Sequence, residues 1–222
     1  MRTHRTRARS GFTLVEVMIT VTIMGLLLGA VGMFQLRSQD SFKQTSAQAR
    51  AESLGRQAIA RMMEELTGVS SSLFVQDPTS SLGSDTLVFQ RPTNASSAVS
   101  NVGTVTWSTQ TRLSLVMDDG ELDNGVDDDS DGLIDERKLV LTRDVNTASP
   151  MSVTLCHGVP EWFPGEAGGN AVDDNGNGIV DEKGFNVRRV GDLLYVRLAE
   201  QVPYSDGRVA TCTVDTALVL HN

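Results

Sequence analysis

Proline is scarce in this 222-residue chain: there are six, and none lies between positions 12 and 77. Nothing there forces a helix to break, so a helix of more than fifty residues is permitted. Cysteine is scarcer still. Cys156 and Cys212 stand far apart, with no CxxC and no CxxCH despite the Cys156-His157 dipeptide, which removes the redox-dithiol and haem-attachment readings. The three histidines, His4, His157 and His221, are scattered, and no nucleophile elbow, phosphate loop or zinc motif occurs, so nothing points to catalysis. A basic stripe is also missing. The net charge is −9, and setting aside the four arginines of residues 1–11 leaves −13 for the rest. Such a body has little with which to replace phosphate counterions, which argues against direct nucleic-acid binding.

What is present starts at the N-terminus. The basic stretch MRTHRTRARSG precedes Gly11-Phe12-Thr13-Leu14-Val15-Glu16-Val17, and an apolar run continues to about Leu36. At ~1.5 Å per residue that run exceeds the ~30 Å core of a bilayer. Arginines before it and none inside it set the N-terminus in the cytoplasm and the remainder outside. A cleaved secretory signal, with Ala30-Val31-Gly32 as its small-residue site, and a plain signal anchor are the alternatives. Glu16 weighs against both. A carboxylate within an apolar run is costly, about 2.5–3.5 kcal/mol at the bilayer centre and less near the interface, and needs a partner.

Gly11-Phe12-Thr13-Leu14-Val15-Glu16 resembles the processing site of type IV prepilins and type II secretion pseudopilins. The resemblance implies that a prepilin peptidase cuts after Gly11 and N-methylates the new terminal Phe12. It also implies that Glu16, then the fifth mature residue, faces the terminal amine of a neighbouring subunit. A cationic amine opposite a carboxylate in a low-dielectric setting supplies the missing partner. The implied partners are other pilin or pseudopilin subunits in a helical filament, the peptidase and the inner membrane. The implied location is a single-pass membrane precursor with a periplasmic head, later built into a filament.

Beyond the apolar run, Ala47, Ala51, Leu54, Ala58, Met62 and Leu66 recur at spacings of three or four, an amphipathic helix ending near Gly68. Strands are expected at 86–89, 105–117, 138–143, 152–156, 193–198 and 209–220, and a polar loop at Pro92–Gly103. The fold class is α+β: a long N-terminal helix packed on an antiparallel sheet head. The expected layout is a leader at 1–11, a membrane or filament-core helix at 12–36, its amphipathic continuation at 37–70 and a head at 71–222. Leu139–Arg143, Gly158-Val159 with Phe163, Leu194–Leu198 and Ala217–Asn222 resemble the strand order of W-type minor pilins and J-type minor pseudopilins. Major pilins of the family often carry proline where this chain has Met33, which favours a minor subunit.

The head contains an internal repeat. Asn124–Glu136 (NGVDDDSDGLIDE) and Asn170–Glu182 (NAVDDNGNGIVDE) match at an offset of 46 residues. Each holds the calcium-loop core D-x-[DN]-x-[DN]-G-x-x-D. The candidate ligands are Asp127, Asp129, Asp131, the Leu133 carbonyl, Asp135 and Glu136 in the first. In the second they are Asp173, Asn175, Asn177, the Ile179 carbonyl, Asp181 and Glu182. Alternate oxygens converge on one ion, and glycine at the sixth position permits the turn. The glutamate of position twelve is missing, since Lys138 and Gly184 stand there, so Glu136 and Glu182 are the substitutes. The upstream acids Asp119, Glu121 and Asp123 extend the first site. A solvated acidic turn is the competing reading. Up to two calcium ions are expected.

Cys156 and Cys212 lie in apolar strand segments, and a periplasmic head allows them to pair as a disulfide; two separate buried thiols are the alternative. For function, a minor pilin that primes or caps a type IV pilus comes first. A J-type minor pseudopilin and a tip-displayed adhesin or DNA-uptake module are the alternatives.

Overall fold

The computed structural model describes residues 12–69, 74, 78, 83–94, 106–205 and 207–220. Gly11 and the rest of the basic leader lie outside the described residues, as do positions 95–103 of the expected polar loop. The chain divides into two compact units, Met1–Lys43 and Gln44–Asn222.

Helix α1 runs Leu14–Leu66, and the Val69 N–H bonds the Leu66 carbonyl just beyond its end. In the first unit every described side chain of the helix is exposed. In the second unit α1 buries Ala47, Ala51, Gly55, Ala58, Ile59, Met62, Glu65 and Leu66, the stripe that three-and-four spacing requires. The stripe is small at one end and bulky at the other. Ala47 and Ala51 pack with Val202 and Ala210, while Ile59, Met62 and Leu66 enter the main core with Leu87, Phe89, Leu139 and Leu198. At Gly55 the approach is closest: a Cβ there would stand 3.1 Å from Val214 Cγ2.

The strands are β1 (Thr86–Phe89), β2 (Pro92–Asn94), β3 (Thr106–Trp107), β4 (Thr111–Met117), β5 (Arg137–Arg143), β6 (Met151–Val159), β7 (Phe185–Val190), β8 (Leu193–Ser205) and β9 (Arg208–Val219). They pair antiparallel in three sheets, ordered β1-β4-β5-β6, β2-β3 and β7-β8-β9. Contacts between β6 and β8, together with a bridge from Ser84 to Val187, tie the larger two sheets. This is the α+β arrangement of one long helix on antiparallel sheet. Two strands were not anticipated. Strand β2 opens the segment read as a polar loop, and β7 carries Arg188 and Arg189, which mask its alternation.

Glu65 is a carboxylate buried at the C-terminal end of α1, where the helix dipole disfavours negative charge. Arg91 (2.6 Å) and Arg143 on β5 both pair with it and pin this end of the helix. Replacing Glu65 with Ala strands two arginines against the core. The expected loss is about 2 kcal/mol, between the limits for exposed and buried pairs, read as a lower denaturant midpoint with an unchanged slope.

Candidate functional site

Two regions of the chain carry the candidate functional side chains. The first is the start of α1. Thr13 and Glu16 form a reciprocal cap: the Thr13 N–H and hydroxyl both donate to Glu16 Oε2 (2.9 Å each), and the Glu16 N–H donates to Thr13 Oγ1 (3.3 Å). This is a capping box, and its Thr-x-x-Glu signal was legible in the sequence but unused there. The Thr20 and Thr22 hydroxyls donate to the Glu16 and Met18 carbonyls (2.7 and 2.8 Å), so these hydroxyls need no partner from outside the helix. Phe12, Leu14, Val15, Leu26 and Phe34 are all more than 60% exposed, an apolar surface that water would not tolerate in isolation. By length and composition the helix is able to cross a membrane.

The second region is the pair of acidic loops. Loop one (118–136) joins β4 to β5, and loop two (160–184) joins β6 to β7. Their hydrogen bonds repeat nearly one for one. In loop one Gly132 N–H donates to Asp127 Oδ2 (3.0 Å), Asp131 N–H to Asp129 Oδ1 (2.9 Å) and Leu133 N–H to Asp131 Oδ1 (2.8 Å). In loop two Gly178 N–H donates to Asp173 Oδ2 (2.7 Å), Asn177 N–H to Asn175 Oδ1 (3.0 Å) and Ile179 N–H to Asn177 Oδ1 (2.8 Å). The buried Leu133 and Ile179 side chains anchor both turns.

Asp135 and Asp181, both expected as ligands, are hydrogen-bonded across their loops. Asp135 accepts from the N–H groups of Asn124 and Gly125, and Asp181 from those of Asn170 and Ala171, so both close their loops. Both adopt positive φ, 49° and 48°.

Glu121 is the residue that sequence reasoning underweighted. Its Oε1 accepts from the Asp128 and Asp129 N–H groups (2.9 and 3.0 Å) and its Oε2 from Asp135 N–H (3.2 Å). Glu166 is its counterpart, accepting from Asn175 N–H (3.2 Å). Each follows a glycine at positive φ, Gly120 or Gly165, where a Cβ would stand 3.0 or 3.1 Å from the Cβ of Asp129 or Asn175. The Gly-Glu pair was a usable signal, but its offset is 45 residues where the loop offset is 46, which hid it.

Ligand-type oxygens of Asp127, Asp129 and Asp131 lie within 4.8 Å of one another, and so do those of Glu121, Asp129 and Glu136. Glu136 is 1% exposed, and its Oε2 has no hydrogen-bond partner, nor has Asp127 Oδ1. Burial, reinforced by Asp131, Glu121 and Asp129, pushes Glu136 up to about 7. Burial and the neighbouring Asp129 and Asp127 raise Asp131. Loop two differs. Glu182 is also pushed up by burial, but Asn177 Nδ2 (2.7 Å) and Arg197 Nη1 (3.0 and 2.8 Å) donate to it and pull it back.

Cys156 and Cys212 are free thiols, so the expected disulfide is not formed in this structure. Cys156 lies on β6, whose neighbour here is β8, whereas Cys212 lies on β9 opposite Glu200 of β8. Glu200 is 1% exposed. Burial pushes it up to about 8, and the adjoining Cys156 thiol only partly opposes this.

Residues 6–32 match the family model described as the prokaryotic N-terminal methylation motif. No curated protein and no solved structure matches the chain. This motif is the one that type IV pilins and pseudopilins carry, and with the apolar helix behind it, it supports that superfamily of structural subunits in the broad sense. It implies prepilin peptidase processing and assembly with other pilin subunits, and together with the apolar helix it indicates membrane anchoring.

Glu200 generates a pH prediction. Its folded value, about 8, lies above the ordinary 4.5, so the native state holds an extra proton between those values. Stability from this group is full below about pH 4.5 and is lost as pH rises through about 8. Its charged or titratable surroundings include Cys156, Cys212, and the Arg50, Asp131 and His157 that line the same cleft. Melting curves from about pH 5 to about pH 9 should show a falling midpoint, and Glu200→Gln should flatten the fall and raise the midpoint at the alkaline end.

Proposed function

We propose that this chain is a minor pilin: a non-catalytic subunit that primes or caps a type IV pilus after cleavage behind Gly11. The observation that carries the reading is the Phe12–Leu36 segment, a fully exposed apolar helix whose one acid is Glu16, set behind a prepilin-type processing site. Such a surface requires lipid before assembly and the equivalent helices of neighbouring subunits after it. The uninterrupted hydrogen-bonded helix through Met33 supports a minor subunit. The same features suit a J-type pseudopilin of a type II secretion machine, and gene neighbours separate the two: pilus-tip genes on one side, a secretin operon with exported hydrolases on the other.

The head is exported in this reading. Glu16 has two roles in sequence: it caps its own helix in the precursor's described residues, and it faces a neighbour's terminal amine in the filament. Its oxygens are able to accept from Thr13 and still present net charge.

Two outcomes are expected. Mass spectrometry of the chain from cells with active peptidase should give a mature N-terminus at Phe12, methylated; an intact Met1 would contradict the reading. The second outcome separates capping from charge. Glu16→Gln keeps an acceptor for the Thr13 N–H but removes the negative charge, whereas Glu16→Ala removes both. Both variants should stay in the membrane, since a costly charge has gone, and both should lose recruitment into filaments. Wild-type assembly by Glu16→Gln would sink the amine-pairing account and leave Glu16 as a helix cap.

A further inference from the structure

We infer that loop one is a divalent-cation site of the calcium class, held by Asp127, Asp129, Asp131 and Glu136 with Glu121, and that loop two is its ion-free counterpart, in which Arg197 stands where loop one takes the metal. The two loops have the same backbone scheme, so the difference between them lies in side-chain charge.

Loop one gathers five carboxylates. Among the described residues no ion pair reaches any of them. The two bases that follow the loop pair with other carboxylates, Arg137 with Glu161 (3.1 Å) and Asp123 (3.6 Å), Lys138 with Asp119 and Asp118, so the upstream acids Asp119 and Asp123 are taken by bases. Glu136 is the independent sign that something is to be bound. It is 99% removed from solvent, lies within the Glu121–Asp129–Glu136 group and leaves Oε2 without a donor. A buried carboxylate with no partner is costly, and here its neighbours are carboxylates as well. The two groups share Asp129, so a cation held there adjoins the group of Glu136 on one side and that of Asp127 on the other. An all-oxygen set with several carboxylates suits calcium, which accepts six to eight ligands in flexible geometry. Magnesium demands near-ideal octahedral order and sheds water reluctantly.

In loop two Glu166 Oε2 is also left without a donor, but Glu182, the counterpart of Glu136, is satisfied. Asn175 and Asn177 replace two carboxylates by amides, and Asn177 turns its Nδ2 onto Glu182. Glu182, fully buried, has its charge met by Arg197 through both oxygens. Arg197 comes from β8, lies over the Phe163 ring (4.4 Å) and also reaches Asp215 (3.2 Å), so it is held in place from three sides. Arginine carries its charge permanently, so Glu182 is neutralised without a captured ion.

The test uses the full chain in detergent, stripped with chelator and titrated calorimetrically with calcium chloride or magnesium chloride. One calcium per chain is expected, with magnesium at least about tenfold weaker. Glu136→Gln should weaken calcium about tenfold or more, as should Asp131→Asn, whose side chain is exposed and whose loss spares the core. Asp173→Asn should leave both stoichiometry and affinity unchanged. The inference is overturned by no saturable uptake, in which case the loops are acidic turns only. It is equally overturned by two ions per chain, or by wild-type affinity in both Glu136→Gln and Asp131→Asn.

Discussion

The head depends on how near α1 comes to the sheets. Between Ala47 and Ala58 the helix offers only small side chains on its buried stripe, so its backbone lies close against β8 and β9, with Gly55 against Val214. Close approach increases the number of dispersion contacts without ordering long side chains, which keeps the entropic cost low. Further along, Ile59, Met62 and Leu66 fill the wider space over β1, β4 and β5. The paired arginines on Glu65 then stop this end from fraying away from the core. The two larger sheets both contribute to the core that the helix caps, which helps short pieces such as β1 and β7 remain ordered.

That arrangement leaves the strand connections free to carry charge. Loop one joins the antiparallel pair β4 and β5, loop two crosses from β6 to β7 of the other sheet, and each is tied down by one aliphatic side chain, Leu133 or Ile179, and by one upstream glutamate that accepts from loop backbone. The backbone thus folds each loop with its own carboxylates and amides as acceptors. Charge is dealt with separately. In loop two a neighbouring strand supplies Arg197 to the buried Glu182; in loop one Arg137 reaches Asp123 and, among the described residues, no arginine pairs with the buried Glu136. Duplicated loops of one geometry have in this way come to hold different electrostatic states, and the head's acidity is concentrated on the first.

The N-terminal methylation motif, the helix span and its buried stripe were legible from local information alone. Glycine before Phe12, the acid at Glu16 and the absence of proline are statements about the chain itself, and three-and-four periodicity needs no knowledge of what covers the stripe. Strand β1 was legible to the residue for the same reason. Strand β7 was not, because its two consecutive half-buried arginines break the alternation and its order comes from pairing with β8. Strand β2 was lost behind Pro92 and Asn94, residues that read as turn formers.

By itself the sequence determined that an apolar helix with a processing motif leads into an α+β head carrying two copies of an acidic loop. Those properties reside in composition, periodicity and repetition. Tertiary structure decided what the repeated and distant residues do. It set Asp135 and Asp181 to closing their loops, brought Glu121 beside Asp129 and Glu136, sent Arg197 from a strand fifteen residues beyond Glu182 back to it, and placed Glu200 rather than Cys156 opposite Cys212. The reason is physical: a carboxylate's role depends on which donors and charges reach it in space, and sequence spacing does not carry that information across a sheet.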